Sequence, residues 1–292
     1  MKCLTATILL IFITSILCAQ SPWTQNKGGG FAQLGLNAIP TYSDYFKDNT
    51  DSRTSSREYS EFGIQAYAEY GLLNGTTIVG SIPLKILQSG DQTDNVTVNT
   101  RSGSLIAPGN FQLAIKQRIY DNGITIAGQL GVEAPLGSTD IPTGLRSSFE
   151  CWTVTPMLSV GSGFGKGYAY GYGGVGLRTN DYSHTFTGGI EGGYKVLKPL
   201  WTMLFLDVNR SFKNGNRVDA SSVQDSGFYV NDQEWVSLGL KLLFEINDNL
   251  GLTASSTLIA FAANQVPQSP SISLGFYGKW QGQKDEGKME EK

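Results

Sequence analysis

From residue 31 onward, apolar and polar side chains alternate with a period of two, in segments of about 9–13 residues. Residues 58–72 show the pattern best. Phe62, Ile64, Ala66, Ala68, Tyr70 and Leu72 share one parity, and Tyr59, Glu61, Gln65, Tyr67 and Glu69 the other. A strand points successive side chains to opposite faces, so each segment predicts a strand with one apolar and one polar face. Residues 110–120, 124–134, 185–196 and 234–245 repeat it. Leu113, Ile115, Leu130, Ile190 and Leu240 stand on the apolar side, and Lys116, Arg118, Gln129, Glu133, Glu191, Lys195, Lys241 and Glu245 on the polar side. Weaker members at 31–39, 76–87, 152–162, 168–177, 200–212 (with Asp207), 250–261 and 271–280 bring the expectation to about twelve strands, an even number as single-chain bacterial barrels have.

The connections alternate as well. Short turns fall at 73–75, 121–123, 163–167, 197–199 and 247–249, and the Asn-Gly pairs among them tolerate the positive φ of tight hairpins. Longer polar stretches lie between them at 42–57, 88–108, 136–150, 178–183, 213–233 and 262–270. Short turns at one end and long loops at the other predict a transmembrane antiparallel up-and-down β-barrel, all-β, with both chain ends on the periplasmic side. Tyr70, Tyr194, Phe244 and Trp280 on the apolar parity near the short turns, with Trp152 near the opposite rim, fit the aromatic girdles of the lipid headgroup level. A soluble sandwich would show the same alternation with its apolar face buried. The regular loop lengths, rim aromatics and export signal favour lipid, where an open sheet edge would leave backbone groups unsatisfied and the sheet must close.

The first residues read as that export signal. Lys2 is followed by an apolar run over 4–17, too short to favour a membrane helix, with cleavage expected after Ala19. A lipid anchor on Cys18 is the alternative, but Leu17 is bulky where a small residue is wanted. The organisation expected is therefore a signal peptide at 1–19, a short periplasmic lead at 20–30, a barrel at 31–280, and a charged, disordered tail at 281–292. Beyond residue 19 no apolar run approaches the ~20 residues of a spanning helix.

Composition sharpens the picture. The chain has 36 glycines in 292 residues, 16% charged residues, 11% aromatics and a net charge of −3. Glycine and aromatics suit pleated sheet and tight bends. The weak net charge supplies no basic field for nucleic acid. With Cys3 and Cys18 removed, Cys151 is the one mature thiol, so no disulfide forms within the chain.

The polar parity places Glu61, Gln65, Glu69, Lys85, Lys116, Arg118, Gln129, Glu133, Glu191, Lys195, Asp207, Lys241 and Glu245 in the lumen, since a charge on the lipid face costs about 2–4 kcal/mol near the midplane. These groups read either as a wet pore whose opposed charges select solutes or as a mutually neutralised network stiffening a narrow barrel. Passage of a small solute is the leading function class. A structural or surface-binding barrel is the alternative, and a rim hydrolase ranks last. For the hydrolase, Ser183 and His184 are adjacent and point to opposite faces, so the histidine is badly placed to activate the serine. Residues 171–176 match a dinucleotide fingerprint in letters alone, with strand-like alternation around them and no helix to follow. Asp44, Asp48 and Asp51, with Asp91 and Asp94, lack calcium-loop spacing. No metal or other cofactor is expected.

Residues 23–40 (WTQNKGGGFAQLGLNAIP), 109–120 (GNFQLAIKQRIY) and 129–137 (QLGVEAPLG) resemble the Bacteroidetes-type outer-membrane barrels grouped with the MetA-pathway-of-phenol-degradation transporter-like family. The resemblance implies an outer-membrane barrel of a Gram-negative cell, embedded in lipid, inserted by the barrel-assembly machinery and moving small, often hydrophobic compounds. It implies no catalytic residues.

Overall fold

A computed structural model describes residues 20–48, 51–92 and 100–282; the expected signal peptide and most of the charged tail lie outside them. In chain order the elements are β1 (Gly30–Phe46), β2 (Ser52–Leu73), β3 (Thr76–Gln92), β4 (Gly103–Pro108), β5 (Phe111–Asn122), β6 (Ile124–Ala134), β7 (Thr139–Asp140), β8 (Leu145–Arg146), β9 (Thr153–Phe164), β10 (Gly167–Arg178), β11 (Thr185–Leu197), β12 (Leu200–Ser211), α1 (Ser221–Ser226), β13 (Glu234–Glu245), β14 (Leu250–Ala263), β15 (Val266–Pro267) and β16 (Ser271–Trp280). Neighbouring strands pair antiparallel throughout, and β1 pairs with both β2 and β16, which closes a barrel of 12 strands. The fourth barrel strand is broken: β4 and β5 both pair with β3, on either side of Gly109-Asn110. Closure leaves no free edge, as backbone groups facing hydrocarbon require.

The faces follow the sequence pattern. Phe62, Leu113, Ile115, Leu130, Ile190, Leu204 and Leu240 are exposed on the outer face, as are the rim aromatics Tyr70, Trp152, Tyr194, Phe244 and Trp280. The tight turns all close one end. Gly75 and Gly123 take φ of 82° and 72° in two of them, the region where glycine carries no steric penalty.

The other end differs from the expectation of long loops. Residues 42–46 and 52–57 continue β1 and β2, and 88–92 continue β3. The stretches 136–150 and 213–233 fold as the small β7–β8 hairpin and α1. Part of their apolar side chains, Leu145, Val223 and Phe228 among them, turns inward. Leu145 and Phe228 pack with Tyr42, Tyr45, Tyr59 and Leu87 in a buried cluster across this end. Beside it Arg146, 2% exposed, donates to Asp219 at 2.7 Å, to the Tyr182 hydroxyl at 3.2 Å and to the Tyr229 carbonyl at 3.1 Å. The Asp225 carboxylate accepts from Arg53, Ser55, Ser56 and Tyr59. A buried charge is tolerable when it is paired and hydrogen-bonded this fully.

Candidate functional site: the barrel lumen

Alternation puts the polar parity of each strand inside, where the strands meet around a space with water-sized room. The lumen contains a cavity of about 420 Å³, lined by Trp23, Tyr168, Tyr170, Trp201, Glu191 and Lys241 among others. Its aromatic wall comes from Phe31 on β1, the inward parity of β10, the start of β12 and one residue that precedes the barrel altogether.

That residue, Trp23, belongs to a strap formed by residues 20–29. The segment read from the sequence as a lead ahead of the barrel lies inside it. The strap crosses the turn end, where Gly28 N–H donates to the Gly71 carbonyl at 2.8 Å and Gly71 N–H returns a bond to the Gly29 carbonyl at 2.9 Å. A Cβ on Gly71 would sit 1.9 Å from the Asn26 carbonyl oxygen, so only glycine lets the strap pass. Further in, the Gln25 N–H donates to the Thr77 hydroxyl at 2.7 Å and its side-chain amide to Glu69 at 2.8 Å. The Trp23 ring meets Tyr168 and Tyr170 edge-on, with centroids 5.3 and 5.7 Å apart. Pro22 is fully buried, against Gly161. Gln20 reaches Tyr172 with its side chain. The segment thus climbs along β10 from the turn end toward mid-barrel. No hydrophobic period or charge run marks it in the sequence; its one cue is the Gly28-Gly29-Gly30 run that lets the chain reverse into β1.

The expected lumen residues divide into two walls. On β2, β3 and β5, Lys85 pairs with Glu61 at 2.8 Å and Lys116 with Glu69 at 3.8 Å. Lys116 is 1% exposed, and its ammonium also donates to the Trp23 carbonyl at 3.5 Å. Gln65 donates to Ser81 at 2.9 Å. On β11 and β13, Lys241 pairs with Glu191 at 2.7 Å, and Lys195 pairs with Glu245 nearer the turn end. Tyr168 donates its hydroxyl to Glu191 at 2.7 Å and Tyr172 to Asp207 at 2.6 Å. Each lysine is therefore answered on its own wall.

Other expected members sit apart. Arg118 lies near the turn end of β5, bonded to Asp121 at 2.8 Å. Glu133 accepts from Gln112 at 3.1 Å, toward the loop end. Gln129 is inward, with its Oε1 buried and unpartnered among the described residues.

The minor candidates resolve into ordinary contacts. His184 Nδ1 accepts the Arg178 N–H at 3.1 Å, and the Ser183 hydroxyl accepts the Gly215 N–H at 2.9 Å, so neither addresses the other. Residues 171–176 lie within β10, a strand, with no helix at its end to hold a pyrophosphate. Asp51 pairs with Lys47 at 3.1 Å, and Asp44 accepts from Thr54 at 2.6 Å; Asp94 lies outside the described residues. Among the described residues no cluster of metal-ligating side chains forms.

No protein-family model matches the chain, and no curated protein matches it. Among solved structures it is similar to the COG4313 outer membrane channel from Pseudomonas putida F1. The identity is 12% and the TM-score 0.67, over 88% of this chain and 98% of that one. Weaker likenesses are to the translocator domain of the autotransporter NalP from Neisseria meningitidis (10% identity, TM-score 0.49, 88% and 90% covered) and to the KdgM porin (9%, 0.47, 85% and 99%). At such identities the likeness is one of fold, and that fold is the closed transmembrane β-barrel of outer-membrane proteins.

Proposed function

We propose that this protein is an outer-membrane channel for a small solute, a relative of the MetA-pathway-like barrels its sequence resembles. Its tight turns and both chain ends would face the periplasm and its long connections the exterior. The observation that carries this reading is the lumen itself. A barrel built only as a scaffold has no need of a cavity of about 420 Å³, walled by aromatic rings and self-neutralised ion pairs and filled alongside by a terminal strap rather than by strand side chains. A strap held at one end of the chain can leave without unfolding a strand.

The aromatic wall and the locally balanced charges suit an uncharged or amphipathic solute more than a simple ion. The likeness to a solved outer membrane channel supports the same reading. Outer-membrane lipid would surround the apolar face, and the barrel-assembly machinery would insert it. The second reading, a structural or surface-binding barrel, draws on the buried Tyr42–Tyr45–Tyr59–Phe228 cluster across the loop end.

Planar-bilayer recording separates the two. The channel reading expects rare, discrete openings from the full mature chain and sustained conductance, with solute-driven liposome swelling, from a chain lacking residues 20–27. Silence from both chains in both assays sinks it in favour of the structural barrel.

A further inference from the structure

We propose that the lumen wall beneath the strap is a peptide-binding site, and that the ligand it takes is a short, extended peptide with no net charge and one aromatic side chain. Passage of such a peptide through the barrel rests on the channel reading; its binding does not.

The strap shows what the wall recognises, because its main-chain groups are met one after another. The Trp23 carbonyl accepts from the Lys116 ammonium at 3.5 Å, the Gln25 N–H donates to the Thr77 hydroxyl at 2.7 Å, and the Lys27 N–H donates to the Asn74 Oδ1 at 3.1 Å. Gly71 exchanges N–H and carbonyl bonds with Gly28 and Gly29, as a neighbouring strand would. Thr77 and Lys116 are fully buried, so they are polar groups held out of water and aimed at a peptide backbone. Two side chains complete the fit. The Trp23 ring meets Tyr168 and Tyr170, and the Gln25 amide donates to Glu69 at 2.8 Å. Where an extended peptide is bound, main-chain bonds supply affinity and side-chain pockets supply specificity.

The wall is larger than the segment it holds. The aromatic shelf continues from Tyr168 to Trp201, with ring centroids 5.9 Å apart, and Trp201 borders the cavity beside the strap. From β1, β14 and β16, Gln33, Thr253 and Ser273 line the same cavity with amide and hydroxyl groups. The ionisable groups on it, Glu69, Glu191 and Lys241, are paired within the wall, which leaves a charged ligand no unanswered partner. Rings for a side chain, with amides and hydroxyls for a backbone, suit a neutral peptide. A small aromatic compound that displaced the strap would leave the buried Thr77 and Lys116 without the main-chain groups they now meet, and an unanswered buried polar group is costly. The strap sits at a chain end, so it competes with such a ligand as a tethered copy, at an effective concentration in about the millimolar range.

The test is isothermal titration calorimetry of the folded mature chain in detergent, with empty micelles as the blank. The probe is the capped peptide acetyl-Pro-Trp-Thr-Gln-Asn-amide, the sequence of residues 22–26. Trp23→Ala keeps every barrel residue of the wall and loosens the tethered competitor, so it is expected to bind the probe at least about tenfold more tightly than the native chain does. On that variant, the probe with alanine in place of tryptophan should bind at least about tenfold more weakly. N-methylation at the amide nitrogen of its glutamine removes the donor to Thr77 and should weaken binding about five- to tenfold. Indole, the ring without the backbone, should fall at least about tenfold below the probe. The proposal is overturned if Trp23→Ala binds the probe no more tightly than the native chain, if the N-methylated probe binds as tightly as its parent, or if indole matches it. Calorimetry needs no open pore, so silence in the bilayer would remove the channel reading and leave the peptide site standing.

Discussion

Trp23→Ala is the sharpest test of how the strap is held. The Trp23 ring is half-buried, with Tyr168 and Tyr170 on its edges and the cavity on its free side. A tryptophan side chain buries about 150–250 Å² when fully covered, so half of that is about 100 Å². At about 25 cal/mol per Å² this contributes roughly 2.5 kcal/mol. The two edge-on ring contacts add about 0.5 kcal/mol each at the low end of their range. Losing roughly 3.5 kcal/mol shifts the ratio of strap-out to strap-in by about two to three orders of magnitude. Trp23→Phe keeps most of the ring contact and should fall within about tenfold of the native chain. Single-channel recording reads this as open probability, with the chain lacking residues 20–27 as the fully open reference. An open probability for Trp23→Ala within threefold of native, beside a freely conducting deletion, would show that the strap closes the pore but Trp23 is not its latch.

Other perturbations follow from named contacts. Glu191→Gln leaves the Lys241 ammonium buried without its carboxylate and should cost about 3–5 kcal/mol, whereas Glu191→Gln with Lys241→Met should recover most of it; thermal unfolding followed by circular dichroism compares the two. Leu113→Arg puts a charge on the outer face and should destabilise the barrel in lipid by about 2–4 kcal/mol, while Gln112→Arg, one residue away and inward, should cost clearly less; equal costs would mean the faces are misassigned. Arg146→Met removes the nearer of the two guanidinium groups on Asp219, leaving Arg217 at 3.4 Å, and should raise hydrogen exchange in 139–146 and 219–231 with little change in the strands. Acid should act on the same cap. Burial pushes the Glu150 carboxyl up, but the Thr139 hydrogen bond and the Arg146 and Arg217 charges outweigh it and hold it below the usual range. A depressed acid contributes its stability above its unfolded value and loses it as the pH falls through the folded one. Exchange in the cap, corrected for its intrinsic pH dependence, should therefore hold steady from neutral pH down to the ordinary carboxylate value and quicken only as the pH falls below it toward the lower folded value, and Glu150→Gln should flatten that response.

The barrel was legible in the sequence because period-two alternation is local. Each strand shows which of its residues meet lipid without reference to any other strand, so Leu113 and Ile190 could be placed outside, and Lys116 and Glu191 inside, from their own segments alone. Turn chemistry is local in the same way, and Asn74-Gly75 marked a hairpin by itself. What the lumen contains is not local. Lys241 meets Glu191 across the intervening β12, and Lys116 meets Glu69 across β3. These partners depend on register and closure, which alternation leaves open. Arg118 carries the inward parity, but it stands near the turn end of β5, where Asp121 three residues on binds it at the rim. The strap is the extreme case. Residues 20–29 have no periodicity to read, and their place is set by a hollow that exists only once the other strands have closed around it. The same holds for the loop end, where Leu145 and Phe228 turn inward because closure offers them an apolar interior. The sequence by itself determined which side of each strand faces lipid, and the tertiary structure decided what the enclosed side holds.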